Sequence, residues 1–130
     1  MKNVLKFSVI SLLLILLLTS CNLNFFNIKD ISKIVITDSE NTYKTSKKED
    51  IKYLVSLFKK AKPFTGNPSC PFEYLKITIY HKNGKKYILN YASDLCPIFK
   101  YKNIPYIIDD DSNKYLRRFL KENGIRDNIW

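Results

Sequence analysis

The stretch from Cys70 to Cys96 constrains this chain most. Two Cys-Pro pairs, Cys70-Pro71 and Cys96-Pro97, bracket two runs of strand-forming residues, with Lys82-Asn83-Gly84-Lys85 between the runs. Asn-Gly flanked by alternating apolar residues predicts a two-residue type I′ hairpin turn. That turn sets Lys82 opposite Lys85, and hence Tyr80 opposite Tyr87, Ile79 opposite Ile88, Ile77 opposite Asn90 and Leu75 opposite Ala92. Continued outward, Pro71 faces Cys96, one position from Cys70, and a bulge near Ser93-Asp94 absorbs the offset. Each following proline biases its cysteine toward an extended backbone.

The same register sorts side chains onto two faces. Leu75, Ile77, Ile79 and Ile88 form an aliphatic face for helices to cover, while Tyr74, Thr78, Tyr80, Tyr87, Leu89 and Tyr91 share the other with Lys76. Tyrosine combines contact area with a polar handle, so Lys76, Tyr80, Tyr87 and Tyr91 are candidate partner-binding residues. The competing explanation is that tyrosines are ordinary strand residues forming cross-strand pairs.

The N-terminal residues bear on location. Lys2 and Lys6 precede an oily run from Phe7 to Leu18, 12 residues long. A membrane-spanning helix needs roughly 20 apolar residues, whereas this length suits a signal-peptide core. The run ends in Leu18-Thr19-Ser20-Cys21, an aliphatic residue, two small ones and a cysteine. This pattern resembles the lipobox of bacterial prolipoproteins. The resemblance implies a diacylglyceryl group on Cys21, cleavage just before it, and a cell-envelope location outside the cytoplasm, with lipid such as palmitate as the anchor. A chance cysteine in a plain signal peptide or short anchor is the simpler alternative. With Cys21 lipidated, Cys70 and Cys96 are the two cysteines left in an oxidising compartment. A Cys70–Cys96 disulfide is then expected across the open end of the hairpin, and two free thiols if the chain is not exported.

On this reading residues 1–20 are the leader, 21–29 a tether and 30–130 one α+β domain. Losing the leader takes Lys2 and Lys6 with it, so the formal charge falls from +10 to +8. Exported and tethered, the chain would meet little nucleic acid. The expected partners are the membrane, through the lipid, and an anionic polymer or another envelope protein. A merely solvating lysine-rich surface accounts for the charge equally well.

Local patterns supply the other elements. Ile31 to Thr37 reads as a first strand and Asp38 to Thr45 as a polar loop. Ser46-Lys47-Lys48-Glu49 fits a capping box, and Ile51, Leu54, Val55 and Phe58 follow as an amphipathic stripe that Pro63 stops. Lys59, Lys60 and Lys62 would complement the helix dipole. Pro97 to Asp109 reads as one strand broken near Asn103 and Pro105. Ser112 caps a last helix bearing Tyr115, Leu116, Phe119 and Leu120, ended by Asn123-Gly124, with a tail to Trp130. The expected order is β-α-β-β-β-α: a mainly antiparallel four-stranded sheet with two helices on one face. The whole pattern is similar to small lipoproteins of bacterial envelopes.

Catalytic and metal signals are weak. Asp109, Asp111 and Asn113 start like a calcium loop, but Lys114 and Leu120 stand where glycine and glutamate belong. Asp at a helix start is the better account. His81, the one histidine, is expected on the surface. No cofactor or metal is implied. The leading expectation is therefore a non-enzymatic binding module on a lipid anchor. The alternatives are an inhibitor or immunity lipoprotein acting through the turn-rich loop Pro63 to Pro71, and a small hydrolase using Asp94, Asp109 and His81.

Overall fold

The computed structural model describes residues 26–94 and 96–125, together with Asn3, Lys6, Val9, Ile10 and Ser11. The last five are helical. Among the described residues no helix is long and apolar enough to cross a membrane. Cys21 and Trp130 lie outside them.

The fold is α+β: a seven-stranded, antiparallel open sheet and two main helices that pack together. After a 3-10 turn at Ile28–Asp30 come β1 (Ile31–Thr37), β2 (Thr42–Thr45), α1 (Lys48–Phe58), β3 (Lys62–Pro63), β4 (Leu75–His81), β5 (Lys86–Tyr91), β6 (Ile98–Tyr101), β7 (Ile104–Ile107) and α2 (Asp110–Glu122). The strands lie in the order β2-β1-β4-β5-β6-β7-β3. Four expected strands thus become seven, for three local reasons.

First, the polar segment after Thr37 is a tight hairpin. The Asp38 carboxylate accepts from the backbone N–H groups of Glu40 and Asn41, at 2.7 and 2.6 Å, and turns the chain. The turn delivers Thr42 to Thr45 alongside β1 as an edge strand. Second, Lys102 and Asn103 adopt left-handed φ values of 50° and 63°, so the expected single strand folds on itself as β6 and β7. Third, α1 ends at Phe58 rather than running on to Pro63, and Lys62-Pro63 pairs with β7 as a two-residue edge. Proline, which cannot donate to a ladder, suits that edge.

Helix capping differs from expectation too. Lys47, not Ser46, is the N-cap of α1 and makes no side-chain cap bond. The start of α1 is held from β2 instead, where Thr45 and Tyr43 hydroxyls donate to Asp50 at 2.7 and 3.0 Å. In α2 the N-cap is Asp109 rather than Ser112; its carboxylate accepts from the Ser112 N–H and hydroxyl, both at 2.8 Å. These bonds hold the Asp109 carboxyl below its ordinary range, as expected when the charged form is the one bonded.

One core lies between the sheet and the helices. The α1 stripe Ile51, Leu54, Val55 and Phe58 is buried, as are Leu116 and Leu120 of α2, whereas Tyr115 is exposed. Phe58 packs edge-on against Tyr91 and Phe99, with centroids 6.3 and 5.5 Å apart. Tyr91 also donates its hydroxyl to Asn113 Oδ1 of α2 at 2.5 Å. Both helices therefore lie against the face that carries these rings. Phe26 stacks on Phe58 and joins this core.

Candidate functional site

The central hairpin differs from expectation in one decisive way. The His81 carbonyl accepts from Gly84 N–H at 3.1 Å, and His81 N–H donates to the Lys85 carbonyl at 2.8 Å. His81 thus faces Lys85 across three residues. Gly84 takes φ +87°, while Asn83 is not among the left-handed residues. This is a three-residue loop with glycine in the left-handed position, not a type I′ turn. Asn83 contributes by accepting from Lys85 N–H at 2.9 Å.

The extra residue moves β5 by one against β4. Observed pairs are Tyr80–Lys86, Ile79–Tyr87, Thr78–Ile88, Ile77–Leu89, Lys76–Asn90 and Leu75–Tyr91. A one-residue slip exchanges the faces of a strand. Leu89 and Tyr91 are consequently buried with Ile77 and Ile79, while Ile88, assigned to the core from sequence, is 39% exposed. The strand's own alternation carried this signal, because Lys86 and Asn90 share parity with Ile88 and are poor core residues.

The candidate binding residues therefore separate. Lys76 and Tyr80 lie on the uncovered face. Tyr91 is 2% exposed, and burial drives its phenol pKa far upward. Tyr87 faces the core side, half-buried between His81 and Tyr101 at centroid distances of 4.7 and 6.3 Å. No shared face of Tyr80, Tyr87 and Tyr91 exists. His81 is likewise buried rather than on the surface.

What the uncovered face does carry is lysine. Directly paired residues share a face, so the ladder places Lys33, Tyr80 and Lys86 in one row and Lys44, Val35, Thr78 and Ile88 in the next. Thr37, Lys76, Asn90, Lys100 and Pro105 form a third row, and Lys62 pairs with Ile107 beyond it. All six strand lysines point to this side, and none of the seven strands, all among the described residues, contains Asp or Glu. Lys33 Nζ sits 4.7 Å from the Tyr80 ring centroid, and Lys100 Nζ sits 4.6 Å from that of Phe72. Lys33, Lys44, Lys86 and Lys100 are not marked out by the sequence alone, although the lack of acids within 31–37, 75–81 and 86–91 is visible there.

The Cys70–Cys96 disulfide is present, with Cα atoms 6.4 Å apart. Beside it, Ser93 N–H donates to the Pro71 carbonyl at 3.0 Å, closing the hairpin's open end. An Asp94 carboxylate oxygen lies within 4.8 Å of both sulfurs, but sulfurs bonded to each other are not thiolate ligands. The calcium-like run is also divided: Asp109 caps α2, Asp111 is exposed, and Asn113 is buried against Tyr91. His81 is at one end of the strands, whereas Asp94 and Asp109 follow β5 and β7 at the other.

Comparison with protein-family models, curated proteins and solved structures finds no match for this chain.

Proposed function

We propose that this chain is a lipid-anchored cell-envelope domain that acts by binding rather than by catalysis. The observation that carries the reading is the Cys70–Cys96 bond. Two of the three cysteines are oxidised together, which fits a compartment outside the reducing cytoplasm. The third, Cys21, stands at the lipobox. Two acyl chains would anchor the domain where one would not suffice. The separation of His81 from Asp94 and Asp109 favours binding over hydrolysis. Lys76 and Tyr80 remain candidate contacts on the open face; Tyr87 and Tyr91 do not.

Metabolic labelling with radioactive palmitate tests the anchor. Label on the wild type and none on Cys21→Ala is the expected result. An unlabelled wild-type protein recovered from cytosol with both thiols free would overturn the reading.

A second reading, an inhibitor or immunity lipoprotein, draws on one observation. The exposed Thr65-Gly66-Asn67 tip is held on one side by Phe64 N–H donating to the Pro105 carbonyl at 2.9 Å and on the other by the disulfide. A held, exposed loop can enter a partner's cleft with little ordering cost. Loss of toxin or hydrolase protection on replacing Thr65-Gly66-Asn67, with palmitate labelling intact, would favour it.

A further inference from the structure

We propose that the lysine-bearing sheet face, with the turns at the end where the chain enters the sheet, docks on the anionic phospholipid surface beside the chain's own tether. The inference rests on the anchoring reading and adds the orientation of the domain on the membrane.

The helices occupy the other side of the sheet, and among the described residues this face meets only the corner near Phe72. Strands lie about 4.8 Å apart, and alternate residues along a strand about 7 Å. The lysines therefore form an extended grid at roughly Debye-length spacing, beyond which exposed charges are largely screened. Such a grid suits an extended, fluid array of negative headgroups better than a single compact anion.

Charge is also polarised along the strands. At the end where β1 begins lie Lys29 and the turns bearing Lys82, Lys85 and Lys102, four lysines against the single carboxylate of Asp30. The opposite end carries Asp38, Glu40, Glu73, Asp94 and the Asp109–Asp111 run. Exposed aliphatic side chains follow the basic end: Ile28 at 37% and Ile104 at 52% lie there, and Ile88 lies on the lysine face. Basic residues around a few apolar ones match the headgroup boundary of a bilayer.

Geometry selects the membrane over a distant polymer. Phe26 is fixed in the core, and Cys21, which carries the lipid on the anchoring reading, stands five residues earlier. Fully extended, that segment spans at most about 18 Å. The domain is thus held within that reach of the bilayer, and the charge distribution, not the leash, selects which surface meets it.

The test uses the full chain, purified from membranes, with vesicles of phosphatidylcholine alone or mixed with phosphatidylglycerol. Flotation is scored, and lysine acylation rates are read by mass spectrometry. On the anionic vesicles Lys33, Lys76, Lys86 and Lys102 are expected to react about fivefold more slowly, recovering in high salt. Lys52 and Lys121, exposed on the helices, keep their rates. Lys76→Glu with Lys86→Glu, folded by circular dichroism, loses the protection.

Flotation with both vesicle types and equal lysine rates would overturn docking while leaving the anchor standing. Flotation with anionic vesicles alone, with protected lysines, would support docking and count against the anchor. No flotation with either would overturn both. Protection by soluble polyphosphate but not by anionic vesicles would overturn the lipid assignment in favour of a polymer.

Discussion

The two hairpins β4–β5 and β6–β7 turn on the same dipeptide and turn differently. Lys82-Asn83 is followed by glycine, and Lys102-Asn103 by Ile104. In the first, Gly84 alone enters the left-handed region; in the second, Lys102 and Asn103 both do. Glycine adopts that conformation at little steric cost, and a β-branched residue does so at high cost. The residue after the asparagine therefore decides whether the loop has three residues or two. Loop length then fixes which face each following side chain takes.

The largest expected effect tests what else holds the two hairpins. Cys70 leads into β4 and Cys96 into β6, so the disulfide ties their far ends together. Replacing both cysteines by serine should cost about 3.5 kcal/mol in urea unfolding of the oxidised protein. Native-state hydrogen exchange then sharpens the comparison. Protection should fall first at Tyr91 and Phe99, beside the lost bridge, and less at Tyr80 near the glycine loop. Uniform loss would mean that the hairpins behave as one cooperative unit.

Next in size is the contrast between faces that the loop creates. Tyr91→Phe removes a buried hydroxyl bonded to Asn113 and should cost about 1–2 kcal/mol. Tyr80→Phe, on the uncovered face, should stay within about 0.5 kcal/mol. Equal costs for the two would sink the observed register. The turns themselves come third. A Cβ at Gly84 meets nothing within 4 Å, so Gly84→Ala tests backbone conformation alone and should cost about 1 kcal/mol. Lys102→Asn, supplying a residue that tolerates left-handed φ, should gain a few tenths of a kcal/mol.

These contrasts explain what was legible in the sequence. The α1 stripe was, because Ile51, Leu54, Val55 and Phe58 recur at helical spacing and all face one core. The disulfide was also expected, although by way of a hairpin register that is off by one. Turn chemistry was harder to read. Asn83-Gly84 satisfies the rules of two turn types, and only the neighbouring alternation of Lys86, Ile88 and Asn90 separates them. Strand β2 was hidden because Thr42-Tyr43-Lys44-Thr45 is an edge strand whose partner supplies the apolar residues. The lysine face needed the whole ladder, since its rows draw residues from strands distant in sequence. Lys44 and Ile88 share a row only because β1 lies between β2 and β4.

The smallest prediction concerns the end of β7, where the second hairpin hands over to α2. Asp109 stabilises that junction as a carboxylate, through its bonds from Ser112. Its folded pKa is lowered, so its contribution is complete above the unfolded value of about 3.9 and is lost as pH falls through the folded value. Asp109→Ala should therefore lower the melting temperature by about two degrees at neutral pH, and the gap from wild type should close in strong acid. Asp109→Asn, which keeps a capping oxygen but not the charge, should fall between the two at neutral pH. A gap that is unchanged from neutral to strongly acidic solution would mean that side-chain packing, not the charged cap, fixes where β7 gives way to the helix.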